Sequence, residues 1–321
     1  MAVNHVWRPL NNSNLGVANT ISNVIAQQEW QTPDLLTSIR NGPILMMASD
    51  YGSSHKTSQY ESLSFVIADL AACGHWHHLR ESVRMRILGP RRTMSFKKLM
   101  SDSIRAKSLM PFLRAADTIP GLLATFLIDK SVSPFLSEHM PNDDSQSQVG
   151  ELSYWKENSF ARLTRIGHLG SMLVACLSSS GQDVLWITDR DEIASNKEKL
   201  TEATNVVAHY MCHYLQHDMG NFRFGTTQSD NGSMELEDLA SLPDLAAGAM
   251  SELMSCTIKQ FGQPYGRVHK FLPKSVSKKT HAILAWIAEK QHPLKRITIC
   301  VDRANDVSYK VNFLDICIDS F

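Results

Sequence analysis

Apolar residues recur along this chain at two different spacings. Short apolar runs that end at turn-forming residues indicate buried strands, and apolar positions three or four residues apart indicate helices. The predicted strands are 44–48, 60–70, 121–129 and 184–188, with a short edge strand at 222–226. The predicted helices are 17–30, 155–177, 199–216, 235–256 and 280–289. A run of strands followed by alternating strands and helices predicts an α/β protein with a mixed sheet.

The predicted order of elements matches the ribonuclease H-like fold, a mixed five-stranded sheet flanked by helices. We expect this core to span residues 43–257, after an N-terminal extension of residues 1–42. A basic helical insertion at about 75–117 would separate the second and third strands. The C-terminal extension, 258–321, is predicted to hold a helix and a hairpin that pairs 296–301 with 309–317.

Composition narrows the class of protein. The 321 residues are 43% hydrophobic and 20% charged, which excludes a disordered chain and a small disulfide scaffold. Lys plus Arg and Asp plus Glu each number 32, so the net charge is zero. There is no apolar run of about 18 residues, as a membrane-spanning helix would need. The six cysteines stand singly and the N-terminus does not resemble a secretory signal. We therefore expect a cytoplasmic protein with no membrane partner.

Three aspartates are candidates for catalysis. Asp50 ends the first strand, Asp189 ends the fourth, and Asp244 lies in the last helix of the predicted core. In this topology the first and fourth strands are neighbours and the helix packs across their ends. Carboxylates in such a position can share two divalent cations about 4 Å apart. Their hard oxygen ligands suit Mg²⁺ or Mn²⁺.

Each aspartate also has a purely structural interpretation. Asp50 can form a turn, Asp189 can cap a helix or lie in a polar loop, and Asp244 can interact with a helix dipole. Neighbouring acids compete for the same roles. They are Asp191 and Glu192 near Asp189, and Glu237 and Asp238 near Asp244.

Histidines offer further candidates. His55 follows the Asp50 turn and could position water or donate a proton to a leaving group at the edge of the site. His213 and His217 are four residues apart on a predicted helix, a spacing that could bind a transition metal. No third ligand is evident, so ordinary helix packing is the favoured interpretation of that pair.

The predicted insertion carries a local excess of positive charge. Ten basic residues lie between Arg80 and Arg114, against only two acidic ones. Basic side chains that neutralise phosphates release counterions, which drives nucleic-acid binding. The candidate nucleic-acid-binding residues are Arg84, Arg86, Arg91, Arg92, Lys97 and Lys98. A second basic stretch runs from Lys259 to Lys310, where a solvated surface is the favoured interpretation.

Three short motifs resemble those of a bacterial family of unknown function. Residues 44–53 (ILMMASDYGS) resemble that family's hydrophobic strand ending in D-E-S-G, and residues 242–249 (LPDLAAGA) are similar to its A-D-L-x-A-G motif. Residues 186–189 (WITD) resemble its middle strand. The family is regarded as ribonuclease H-like with metal-dependent nuclease chemistry. Tyr51 and Pro243 depart from its pattern, and Tyr51 replaces an acidic residue that could bind metal.

The resulting hypothesis is a metal-dependent nuclease that hydrolyses phosphodiester bonds in DNA or RNA. Asp50, Asp189 and Asp244 would hold Mg²⁺ or Mn²⁺, and the basic insertion would hold the nucleic acid. The alternative is a non-catalytic module that binds nucleic acid or protein on the same fold. A further possibility is a subunit of a bacterial mobile-element or antiphage assembly, with a protein partner or a second copy of the chain. Motifs of P-loop NTPases, α/β-hydrolases and dinucleotide enzymes are absent.

Overall fold

A computed structural model describes residues 5–52, 58–132, 155–190, 192–262, 268–269, 272–305 and 308–317. Its α-helices are α1 (Gly16–Gln31), α2 (Gly74–Val83), α3 (Ser103–Ala116), α4 (Glu157–Leu177), α5 (Lys197–Tyr214), α6 (Glu235–Phe261) and α7 (Lys278–Ala288). Its strands are β1 (Ile44–Tyr51), β2 (Tyr60–Asp69), β3 (Gly121–Asp129), β4 (Asp183–Thr188), β5 (Phe222–Thr226), β6 (Val268–His269), β7 (Leu294–Arg303), β8 (Tyr309–Phe313) and β9 (Asp315–Ile316). None of the helices in these ranges is long and apolar enough to cross a membrane.

The main sheet has seven strands in the order β5-β4-β1-β2-β3-β7-β8. Strands β1, β2 and β3 are antiparallel neighbours, whereas β4 and β5 run parallel to β1. The predicted α/β class with a mixed sheet flanked by helices is confirmed. The expected count of five strands is wrong, because β7 pairs in parallel with β3 and β8 pairs with β7.

The C-terminal hairpin forms, but it belongs to the main sheet. Without β7, the outer edge of β3 would present a row of unpaired backbone N–H and C=O groups. Ile297, Ile299 and Val301 are buried on one face of β7, and Cys300 is buried on the other. A strand that is buried on both faces belongs inside a sheet, not in an appended hairpin.

Alternate strand residues build two separate cores. On one face Met47, Phe65 and Phe126 pack with α1, α4 and α5. On the other face Met46 and Leu127 pack with the insertion, α6 and α7. Helix α6 lies across β1, β2 and β3 on this second face, which is also the face of Asp50 because side chains alternate along a strand.

The insertion is attached to α6 by a buried ion-pair cluster. Arg84 Nε donates to Asp238 Oδ2 at 2.6 Å, and Arg80 Nη1 donates to the same oxygen at 2.9 Å. Asp238 is 0% exposed and Arg84 is 6% exposed. The prediction that Arg84 contacts nucleic acid is therefore corrected. Its guanidinium neutralises a buried carboxylate, and an ion removed from water needs such a partner.

Candidate active site

Asp50, Asp189 and Asp244 line one cavity of about 680 Å³. Strands β1 and β4 are parallel and pair Ser49 with Thr188, so the next residue of each strand, Asp50 and Asp189, lies at the same edge of the sheet. Helix α6, which packs on the sheet face that carries Asp50, contributes Asp244 to the cavity. The chain thus brings together three acids that are 139 and 55 residues apart in sequence, at the strand ends where open α/β sheets bind ligands.

A close approach after Asp50 holds the first strand against α6. A Cβ atom on Gly52 would lie 3.0 Å from the carbonyl oxygen of Ala247 and 3.1 Å from Ser251 Cβ, so a side chain there would force the two segments apart. The chain can pass this close to the helix because residue 52 is glycine.

The two strand-terminal aspartates also stabilise their own turns. Asp50 Oδ1 accepts from the Tyr51 N–H at 2.6 Å, and Asp189 Oδ1 accepts from the Arg190 N–H at 2.7 Å. This is the structural role that the sequence allowed for. A carboxylate has two oxygens with about four acceptor positions, so a turn bond is compatible with metal ligation.

Asp244 lies against a segment that we call the strap, residues 93–98. Its Oδ2 accepts the Phe96 N–H at 2.7 Å. Burial raises the pKa of the Asp244 carboxyl, and the negative charge of Asp189 raises it further, whereas the Phe96 N–H bond acts in the opposite direction. A cation bound beside Asp244 would offset this repulsion and stabilise its ionised form.

The strap is fixed to α6 and α7 at several points. Ser241 Oγ donates to the Met94 carbonyl at 2.9 Å, and Lys279 Nζ donates to the Phe96 carbonyl at 2.8 Å. The Phe96 ring packs on Gly248, where a Cβ would lie 2.3 Å from the ring. These contacts place the exposed Lys97 and Lys98 on the cavity wall.

Glu237 is a fourth carboxylate of the cavity. It is half-buried, and its pKa is raised by burial, then by Asp189 and two further aspartates. It lies seven residues before Asp244, which is two helical turns and therefore the same face of α6. This seven-residue spacing is the feature of the sequence from which Glu237 could have been predicted as a site residue. Its neighbour Asp238 does not share this face and forms the buried ion-pair cluster instead.

The opposite wall carries Arg162 of α4 and Glu192. Arg162 forms ion pairs with Glu61 and Glu192, and its guanidinium lies over the Tyr51 ring, 5.7 Å from the centroid. Tyr51 occupies the position at which the similar motif has an acidic residue. Its ring thus packs against the Arg162 guanidinium at the cavity, and no carboxylate is supplied at this position.

The other predicted site residues are more dispersed. His55 and Asp191 lie outside the described residues. Arg86 and Arg91 are exposed, and neither lines the cavity. Arg92 is partly exposed and pairs with Asp102 at 3.4 Å.

One acidic group outside the cavity has metal-compatible spacing. Over the described ranges, only Asp117, Glu289 and His292 bring three ligand atoms within 4.8 Å of one another. Two arginine side chains already neutralise this group. Arg296 forms an ion pair with Asp117, and Arg114 forms ion pairs with Glu289 and Asp117. A metal ion there would have to displace or be repelled by two guanidinium groups.

The donor set of the cavity fits a pair of hard divalent cations better. Asp50, Asp189, Asp244 and Glu237 supply only oxygen ligands. Two ions about 4 Å apart do not require that all carboxylates meet at one point. These four carboxylates are the residues of the cavity that could hold Mg²⁺ or Mn²⁺.

Comparisons with protein-family models, with curated proteins and with solved structures returned no match to this chain.

Proposed function

We propose that this protein is a metal-dependent nuclease of the ribonuclease H-like type. The observation that carries the proposal is the convergence of Asp50, Asp189 and Asp244 in one cavity whose wall includes Lys97 and Lys98. The order β5-β4-β1-β2-β3 within the sheet, with β4 and β5 parallel to β1, supports the ribonuclease H-like part of the proposal.

The residues divide into two roles. The four carboxylates would hold Mg²⁺ or Mn²⁺, and the bound ions would activate the attacking water and stabilise the leaving oxygen of a phosphodiester. Lys97 and Lys98 would bind phosphates of the nucleic-acid backbone. Arg162 would orient the phosphate that is cleaved, from the opposite wall of the cavity.

As the pH is lowered, the affinity of the cavity for metal is expected to fall at a higher pH than it would at a site made of carboxylates with ordinary pKa values. The pKa values of Asp244 and Glu237 are raised, so these groups take up protons above about pH 4, where unperturbed carboxyls titrate. A protonated carboxyl is a poor cation ligand. Titration of Mn²⁺ binding between about pH 4.5 and pH 7.5 measures this effect. Affinity that stays constant down to the ordinary aspartate range would contradict ligation by these two groups.

Lys97→Gln combined with Lys98→Gln is expected to weaken nucleic-acid binding and to reduce its salt dependence. Each lost phosphate contact lowers the slope of log K against log salt by roughly 0.9 for duplex DNA. The matched control is Lys274→Gln with Lys278→Gln, two exposed lysines that do not line the cavity. Equal effects of the two double variants would mean that binding is not localised at the strap.

The direct test of activity uses the wild-type chain with labelled DNA and RNA, single- and double-stranded. Cleavage that requires Mg²⁺ or Mn²⁺ and stops with EDTA is the expected result. Salt-sensitive binding that needs no metal, without cleavage of any substrate, would support the alternative of a binding module. The replacement of an acidic residue by Tyr51 is the observation that favours this alternative.

A further inference from the structure

Two histidine side chains on α5 face each other, and neither lines the cavity of the proposed active site. His209 and His213 are four residues apart, one helical turn, and their Nε2 atoms are 3.1 Å apart. The ring centroids lie 4.5 Å apart with the planes at 75°. His213 is exposed and His209 is partly exposed.

This separation fits chelation of one metal ion. Imidazole nitrogens bind zinc at about 2.0–2.1 Å, so coordination angles of about 90–109° place two such nitrogens roughly 2.9–3.4 Å apart. The observed 3.1 Å lies within that interval. Burial and His213 lower the pKa of His209, which favours the neutral imidazole that metals bind.

His217 does not take part in this pair. Helix α5 ends at Tyr214, so His217 is not one helical turn above His213. Its Nε2 lies 3.0 Å from Oγ of Ser178, the residue that follows α4. The spacing of four residues thus pairs His213 with His209 instead of His217.

We propose that His209 and His213 form a bidentate surface site for a late first-row divalent cation such as Ni²⁺, Cu²⁺ or Zn²⁺. Imidazole nitrogen suits these metals, whereas Mg²⁺ prefers oxygen ligands. The site is distinct from the carboxylate cavity in position and in ligand chemistry, and it does not depend on nuclease activity. Water would complete the coordination, as in other sites with open positions.

Calorimetric titration of the full chain with Ni²⁺, in excess Mg²⁺ to occupy oxygen-only sites, tests this proposal. Wild type is expected to show one binding event that His209→Gln or His213→Gln weakens by at least about tenfold. The matched control, His217→Gln, is expected to bind as wild type does. Glutamine is a good helix former, so circular dichroism should confirm that each variant stays folded. Unchanged binding in the variant that lacks both His209 and His213, or no Ni²⁺ binding by wild type, would overturn the proposal. In either case the two rings would share only a hydrogen bond.

Discussion

Asp244→Asn is expected to reduce metal-dependent cleavage by at least about 100-fold, since loss of a direct metal ligand exceeds the effect of losing an outer partner. The same variant is expected to be at least as stable as wild type without metal. The raised pKa of Asp244 means that its ionised form is disfavoured in the folded protein, so ionisation costs stability as pH rises through that pKa. Asparagine removes this cost and keeps an oxygen to accept the Phe96 N–H.

Paired measurements distinguish this role from a structural one. Thermal unfolding at neutral pH without metal should give a midpoint equal to or above that of wild type, and added Mn²⁺ should stabilise wild type more than the variant. A variant that cleaves normally, or one that loses activity only because it unfolds, would show that Asp244 is a structural acid of α6.

Asp238→Ala is expected to cause the largest loss of stability, about 3–5 kcal/mol, because it leaves two buried guanidinium groups without their anion. Arg80 and Arg84 both donate to this carboxylate. Arg84 also donates to the carbonyls of Gly89 and Arg92, which lead into the strap. Removing Asp238 is therefore expected to loosen the strap as well as to lower the free energy of unfolding.

Urea denaturation measures the first effect, and hydrogen exchange at the Phe96 amide measures the second. Asp102→Ala is the matched control, because Asp102 also pairs with two arginines of the insertion but is partly exposed. Asp102 also caps α3, so some destabilisation is expected from the lost cap. The total loss of stability in this variant should still be much smaller. Similar destabilisation by both variants would mean that the buried cluster does not attach the insertion to α6.

The strands and helices of the core could be predicted because their periodicities are strong. The apolar run before Asp50 and the run before Asp189 each form a buried strand, and the two lie side by side as expected. Side-chain alternation then places Asp50 on the α6 face, because the face of a strand residue follows from its position alone. That topology also explains why three aspartates far apart in sequence line one cavity.

Features that depend on tertiary contacts could not be predicted. The charge of Arg84 indicates a surface residue, and nothing local shows that Asp238, 154 residues later, is buried against it. Likewise, the strap reaches Asp244 through the backbone N–H of Phe96, and a backbone donor leaves no signature in side-chain chemistry. The position of β7 depended on the unpaired edge of β3, which is a property of the whole sheet.

Cleavage by Asp50→Asn compared with cleavage by His292→Gln shows whether the carboxylate cavity binds the metal that cleavage requires. Both variants remove a candidate metal ligand, one from the cavity and one from the Asp117 group. With Mn²⁺ and the substrate that wild type cleaves, Asp50→Asn should lose at least about 100-fold in rate, whereas His292→Gln should stay close to wild type. Retained cleavage by Asp50→Asn together with loss of cleavage in His292→Gln would place the metal at the Asp117 group and exclude the cavity as the metal site.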